Sequence, residues 1–155
     1  MLLGGFGVWI FRNSRIKLLA KFIEVVDRGA LVYGKGVVTY MLGIIFVYFF
    51  FQNNKDILSA GIIVLGLGDG MAALIGTYFG RVKLPYNKKK TLEGLIFGML
   101  FSVLGAVLFV PFFPALFTSI IVMLLETFEF KIFHMKIDDN LYIPVFSAFL
   151  LYLII

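Results

Sequence analysis

Six apolar stretches divide the chain, over residues 1–11, 36–52, 57–80, 92–110, 114–130 and 141–155. A helix that crosses the hydrocarbon core of a bilayer needs about 20 residues, with a range near 17–25. The stretches 57–80 and 92–110 meet that length, and 36–52 comes close. The stretch 114–130 reaches it only by including Glu126 and Glu129, and 141–155 runs to the last residue. The pattern predicts an all-α fold, a polytopic integral membrane helical bundle with about five or six membrane segments. The stretch 1–11 is followed, not preceded, by Arg12, Arg15 and Lys17, and it carries no small-x-small cleavage site. It reads as the end of a membrane helix whose beginning is missing or very short, not as a secretory signal.

Two patterns refine this layout. In RIKLLAKFIEVVDR, Lys17, Lys21, Glu24 and Arg28 share one helical face, and Leu18, Leu19, Phe22, Ile23, Val25 and Val26 fill the other. That predicts an amphipathic helix at the membrane surface, serving chiefly as a topology anchor. Small residues recur every four positions at Ala72, Gly76 and Gly80, and again at Gly94, Gly98, Ser102 and Ala106. In lipid this spacing lets backbones approach, so the 57–80 and 92–110 helices are expected to pack on each other. Gly66, Gly68 and Gly70 crowd Asp69 without keeping that period, and predict a weakened or broken helix turn with exposed backbone N–H groups.

Composition narrows the class. Of 155 residues, 61% are hydrophobic, and the mean hydropathy of +1.02 exceeds what a soluble domain of this size can bury. The absence of cysteine excludes disulfides and thiolate metal sites. The net charge of +5 does not point to nucleic acid, because the basic residues flank apolar spans. Thirteen of the fourteen Lys and Arg residues fall in the alternate connections 12–35, 81–90 and 131–136. The positive-inside rule then places those connections in the cytoplasm and both chain ends on the opposite side.

The polar residues inside apolar stretches carry the chemistry. A charged Asp69 near the middle of a membrane span costs about 2.5–3.5 kcal/mol on insertion scales, so it belongs in a protein-lined or wet cavity. Glu126 in SIIVMLLETF calls for the same explanation. Thr91 is a candidate N-cap, and Lys88, Lys89 and Lys90 precede a first helical turn containing Glu93, which together form a natural phosphate seat. Asp138, Asp139 and Asn140 open the last stretch. Asp69, Glu93, Glu126 and Asp139 can surround a pocket on the cytoplasmic side with lysines at its rim. Carboxylates for a divalent cation and lysines for phosphates suggest magnesium-assisted phosphoryl transfer by a single catalytic domain over residues 1–155. His134 stands without a second His or any Cys, which argues against zinc and against a Ser-His-Asp arrangement.

These residues resemble a known family. Gly68-Asp69-Gly70-x-Ala72-Ala73-x-x-Gly76-x-x-x-Gly80-Arg81, followed by Lys89-Lys90-Thr91-x-Glu93-Gly94, is similar to the nucleotide-binding region of the polyprenol kinases, the dolichol kinase and phytol kinase group. Glu126 with the later Asp139-Asn140-x-x-x-Pro144 resembles the group's C-terminal pattern, and Arg28 to Gly43, with Gly34-Lys35-Gly36, resembles the segment before the first motif. The resemblance implies an integral membrane enzyme that uses CTP, or a related nucleoside triphosphate, with Mg²⁺ or another divalent cation. It implies phosphorylation of the hydroxyl of a long-chain isoprenoid alcohol. Asp69, Glu93 and Glu126 would hold metal. Gly68, Gly70, Lys89, Lys90, Thr91, Gly94 and Asn140 would join Asp69 and Glu93 in binding nucleotide, and Asp139 would serve as base. Family members carry further membrane helices before the segment matching Arg28, so a truncated start or a homo-oligomer is considered, and residue 70 is Gly where a small or hydroxyl residue is more usual. The alternatives are a diacylglycerol kinase, a cytidylyltransferase forming a CDP-lipid, a small ion or proton transporter using Asp69 and Glu126, and a structural partner subunit.

Overall fold

A computed structural model describes residues 35–128, 131–132, 135–136 and 139–155. The apolar stretch 1–11, the amphipathic segment 17–28, Glu129, His134 and Asp138 lie outside the described residues. The described part is helical: α1 Lys35–Phe51, α2 Lys55–Tyr78, α3 Leu92–Ala106, α4 Phe112–Glu126 and α5 Asp139–Ile154. A two-residue antiparallel ladder, β1 Lys131–Ile132 with β2 Met135–Lys136, occupies the connection before α5 and was not anticipated in an all-α reading.

Five of the predicted stretches keep their place as helices, and three of them differ in length. The stretch 92–110 supplies only the 15 residues of α3, short of a full crossing, because the chain turns through residues 107–110 before Pro111. Proline disfavours a helical conformation at the residue before it, and Pro111 instead stands as the N-cap of α4. Among the described helices α2 alone, with 24 residues, is long and apolar enough to cross a membrane by length and composition. At 1.5 Å per residue it spans about 36 Å. The outward faces of the shorter helices are nonetheless apolar. Phe49 is 70% exposed, Leu104 52% and Phe113 79%, the kind of surface that marks contact with lipid or another protein.

α2 is the axis of the bundle, in contact with α1, α3, α4 and α5. Gly66–Gly70 lies within it, and the helix is continuous there, so the expected break does not occur. These glycines mostly serve packing. A Cβ on Gly66 would lie 2.5 Å from the Tyr40 hydroxyl, and one on Gly68 would collide with Ser102 and lie 2.5 Å from Met123 Sδ. Glycine costs about 1 kcal/mol in a helix; here close approach by three neighbours offsets it. Gly70 differs, since a Cβ there would meet nothing within 4 Å. The α2–α3 seam follows the predicted small-residue spacing: a Cβ on Gly94 would lie 2.7 Å from the Ala72 carbonyl oxygen, and one on Gly98 2.9 Å from that of Gly68.

Hydroxyls fasten the neighbours to α2. Tyr40 of α1 donates to the Ile62 carbonyl at 3.0 Å, Ser147 of α5 to Gly61 at 2.7 Å, and Ser102 of α3 to Val64 at 2.6 Å. Such bonds act as polar glue where apolar packing alone gives little preference for one register. In α5, Pro144 has no N–H to offer the Asn140 carbonyl, and that oxygen lies where a Cβ on Gly43 would be 2.7 Å away. α1 and α5 therefore run parallel, from the Gly43–Asn140 contact to the Phe51–Tyr152 ring contact at 5.9 Å. With α2 antiparallel to both, the basic connection 79–91, the end of α4 and the start of α5 lie at one end of the bundle, and residues 52–54 and 107–111 at the other.

Candidate functional site

The connection from α2 to α3 is a folded loop. Leu92 N–H donates to the Val82 carbonyl at 2.8 Å and Leu84 N–H to that of Lys90 at 3.0 Å, so residues 82–84 and 90–92 pair antiparallel. Thr91 caps α3 as expected, its hydroxyl accepting from Gly94 N–H at 3.2 Å. Glu93 turns its carboxylate back to the loop, where both oxygens accept from Val82 N–H at 3.1 and 3.2 Å. Its charge lies at the positive end of α3, which favours it.

The tip of the loop is tied to the end of α4. Asn87 Nδ2 donates to the Thr127 carbonyl at 2.9 Å, and the Tyr86 hydroxyl pairs with Thr127 Oγ1 at 3.0 Å. The Tyr86 ring stacks on Phe128, with centroids 4.8 Å apart and planes 7° off parallel. Asn87 also organises the lysine run, accepting from Lys89 N–H through Oδ1 and from Lys90 N–H through its carbonyl.

This anchoring aims Lys90 into the bundle. Its ammonium donates to Glu126 Oε1 and lies 3.6 Å from Asp69 Oδ1. Glu126 is the last residue of α4 and only 2% exposed. A carboxylate buried at the negative end of a helix dipole is doubly unfavourable without a cation. Lys90 supplies that cation. Among the described residues, two carboxylates facing one ammonium leave a net negative charge of one.

Of the expected site residues, the fold brings Asp69, Lys90 and Glu126 into one cluster. Thr91, Glu93 and Gly94 build the turn that carries Lys90, and Lys89 lies exposed on the same loop. Gly68 is buried in the α2–α3–α4 contact, and Gly70 leaves open space beside Asp69. Asp139 and Asn140 form the first turn of α5 at this same end, with Asp139 Oδ1 accepting from Asn140 N–H at 3.1 Å. Tyr86, Asn87 and Thr127 were missed. Their sequence signal was the Pro85-Tyr86-Asn87 turn before the lysines and a hydroxyl residue directly after Glu126.

The donor chemistry suits a hard cation. Among the described residues no group of three His, Cys, Asp or Glu side chains could enclose a metal. Asp69 and Glu126 offer two oxygen ligands, which suits an ion that takes one or two carboxylates and completes its shell with phosphate and water.

No protein-family model matches the chain, and no solved structure matches it. Curated relatives do. The chain is 38% identical over 96 residues to a protein named farnesol kinase, chloroplastic, from Arabidopsis thaliana, covering 62% of this chain and 29% of that one. It is 32% identical over 119 residues to an uncharacterized protein of Methanocaldococcus jannaschii, covering 76% and 58%. Phytol kinase 1, chloroplastic, of Arabidopsis thaliana is 36% identical over 62 residues, covering 40% and 20%. The chain thus spans less than two thirds of the length of each of these relatives.

Proposed function

We propose that this homologue of proteins named farnesol kinase and phytol kinase is itself a membrane-embedded kinase of an isoprenoid alcohol, with CTP or a related nucleoside triphosphate as donor. The observation that carries the proposal is the cluster of Asp69, Lys90 and Glu126, held together by a lysine loop that caps the N-terminus of α3. The lysine loop and the α3 N-terminus belong on the nucleotide-bearing, cytoplasmic side of a multi-pass bundle.

In this reading Asp69 and Glu126 hold a divalent cation, magnesium by donor type, which would neutralise phosphate charge and orient the phosphates. Lys90 then exchanges its carboxylate partners for phosphate oxygens, and Lys89 approaches them from the exposed side of the loop. Backbone N–H groups at the start of α3 add to the positive field. The alcohol oxygen attacks the terminal phosphorus, the bond from that phosphorus to the bridging oxygen breaks, and a nucleoside diphosphate leaves. Asp139 takes the hydroxyl proton. Glu93 keeps the loop closed on Val82, so its contribution is to position the lysines.

The test is incubation of purified protein with labelled CTP or ATP, magnesium, and farnesol, phytol, a long polyprenol or diacylglycerol. Transfer to a prenol, lost in Asp69→Asn, is the expected result. No transfer to any prenol, with Asp69→Asn binding nucleotide as well as wild type, refutes the proposal. Release of pyrophosphate would replace it with a cytidylyltransferase.

A further inference from the structure

Lys90 differs from its neighbours in the lysine run. Lys88 and Lys89 are exposed, whereas the Lys90 side chain is 30% exposed and its ammonium faces both Asp69 and Glu126. Its backbone is fixed on both sides. The N–H donates to the Asn87 carbonyl and the carbonyl accepts from Leu84 N–H, each at 3.0 Å. Thr91, the next residue, is buried as the cap of α3. The loop thus holds one cation, on a flexible four-carbon stem, against the same two acids that the kinase reading gives to the metal.

We infer that Lys90 is a resident counter-ion that closes the metal site until nucleotide arrives, so that metal and nucleotide each bind weakly without the other; the inference rests on the kinase reading above. Three observations carry it. First, the occupancy is exclusive. The ammonium is at ion-pair distance from both carboxylates, and a second cation held by the same oxygens would meet it at contact, where like charges repel strongly. Second, the deeper acid cannot be left alone. Glu126 is 2% exposed at the C-terminal end of α4, so phosphates that drew Lys90 away without a cation would strand a buried charge. Third, the exchange needs no change of fold. Asp69 is 20% exposed beside the open space at Gly70, and the Lys90 side chain already reaches solvent. The bonds that fix the loop, made by Tyr86, Asn87 and Thr91, do not involve that side chain. Metal alone has to displace Lys90, and nucleotide alone has to strand Glu126. Each ligand removes the other's obstacle, which makes the coupling reciprocal. A lysine that leaves its acids free only about 3% of the time weakens apparent metal affinity about thirtyfold, equivalent to about 2 kcal/mol.

The experiment measures Mn²⁺ binding without nucleotide, by electron paramagnetic resonance of the free ion, on purified protein in nanodiscs of zwitterionic lipid. Turnover with CTP, magnesium and prenols is followed on the same samples. Wild type is expected to bind Mn²⁺ weakly, Lys90→Met about thirtyfold more tightly, and Lys90→Met combined with Asp69→Asn weakly again. Mn²⁺ should also raise the unfolding midpoint of Lys90→Met more than that of wild type, because a cation replaces the missing ammonium. Asn87→Ala loosens the aim of Lys90 without removing a charge. It should tighten Mn²⁺ binding by a smaller factor while weakening nucleotide binding. Those opposite signs separate competition from simple loss of structure, and they decide the question if Lys90→Met does not fold. Mn²⁺ binding no tighter in either variant than in wild type overturns the inference, and leaves the kinase reading intact if turnover persists. Tighter binding in the variants, with no phosphoryl transfer by wild type to any alcohol, would instead sink the kinase reading and leave Lys90 as the guard of a metal site.

Discussion

Replacing Lys90 by Met removes the cation that faces Glu126 and Asp69 and keeps most of the side chain's apolar length. Glu126 is 2% exposed at the end of α4, so its charge is left in a poorly solvated position at the wrong end of a helix dipole. Breaking a fully buried pair by removing one partner costs about 3–5 kcal/mol. The Lys90 and Asp69 side chains are 30% and 20% exposed, and water reaching them screens part of that. A loss of about 2–3 kcal/mol is the expected outcome after this discount. It is measured by reversible unfolding in mixed micelles. Glu126→Gln in the Lys90→Met background removes the stranded charge and should recover most of the loss. The two changes are therefore strongly coupled in a double-mutant cycle. Losses that simply add, to within about 0.5 kcal/mol, would refute the argument that Lys90 is the counter-ion of a buried carboxylate.

Other residues give independent outcomes. Thr91→Ala should lower stability by about 1 kcal/mol through loss of the α3 cap, with Thr91→Ser close to wild type in the same unfolding assay. Gly98→Val should cost about 2–3 kcal/mol, because a side chain there meets Ala72 and the Gly68 carbonyl, which cannot move aside as the Met123 methyl can. Asn87→Ala should leave the unfolding midpoint nearly unchanged and weaken nucleotide binding about tenfold by calorimetry, about 1.4 kcal/mol, since it frees the lysine loop from Thr127. Thermal protection by CTP should require magnesium, vanish on chelation and be absent in Asp69→Asn.

What could be read from the chain depended on sequence distance. Thr91 as a cap and the Ala72/Gly76 against Gly94/Gly98 seam were legible, because capping and small-residue packing leave local signatures at fixed spacing. The partnership of Lys90 with Glu126 was not. The two lie 36 residues apart, and their meeting depends on Tyr86 and Asn87 reaching Thr127. Gly66–Gly70 was misread as a helix break because propensity speaks only for an isolated helix. Inside the bundle, contacts from α1, α3 and α4 decide, and they favour an unbroken α2. After Ala106 the chain tightens, with Leu108 N–H bonded to Gly105 and Phe109 N–H to Ala106, although the residues up to Val110 stay apolar.

The charge inventory gives the cluster its chemical sense. A purely structural ion pair would balance, and one ammonium against one buried carboxylate would suffice to hold the loop to α4. Here a second carboxylate, Asp69, is held 3.6 Å from the same ammonium, and among the described residues the group is short of positive charge. Asp69 is also carried on α2, which contacts every other described helix, next to a glycine whose missing side chain leaves open space. Loop anchoring does not need that space or that second acid. A ligand that brings a cation to the two acids, and phosphates to the lysine they release, uses both.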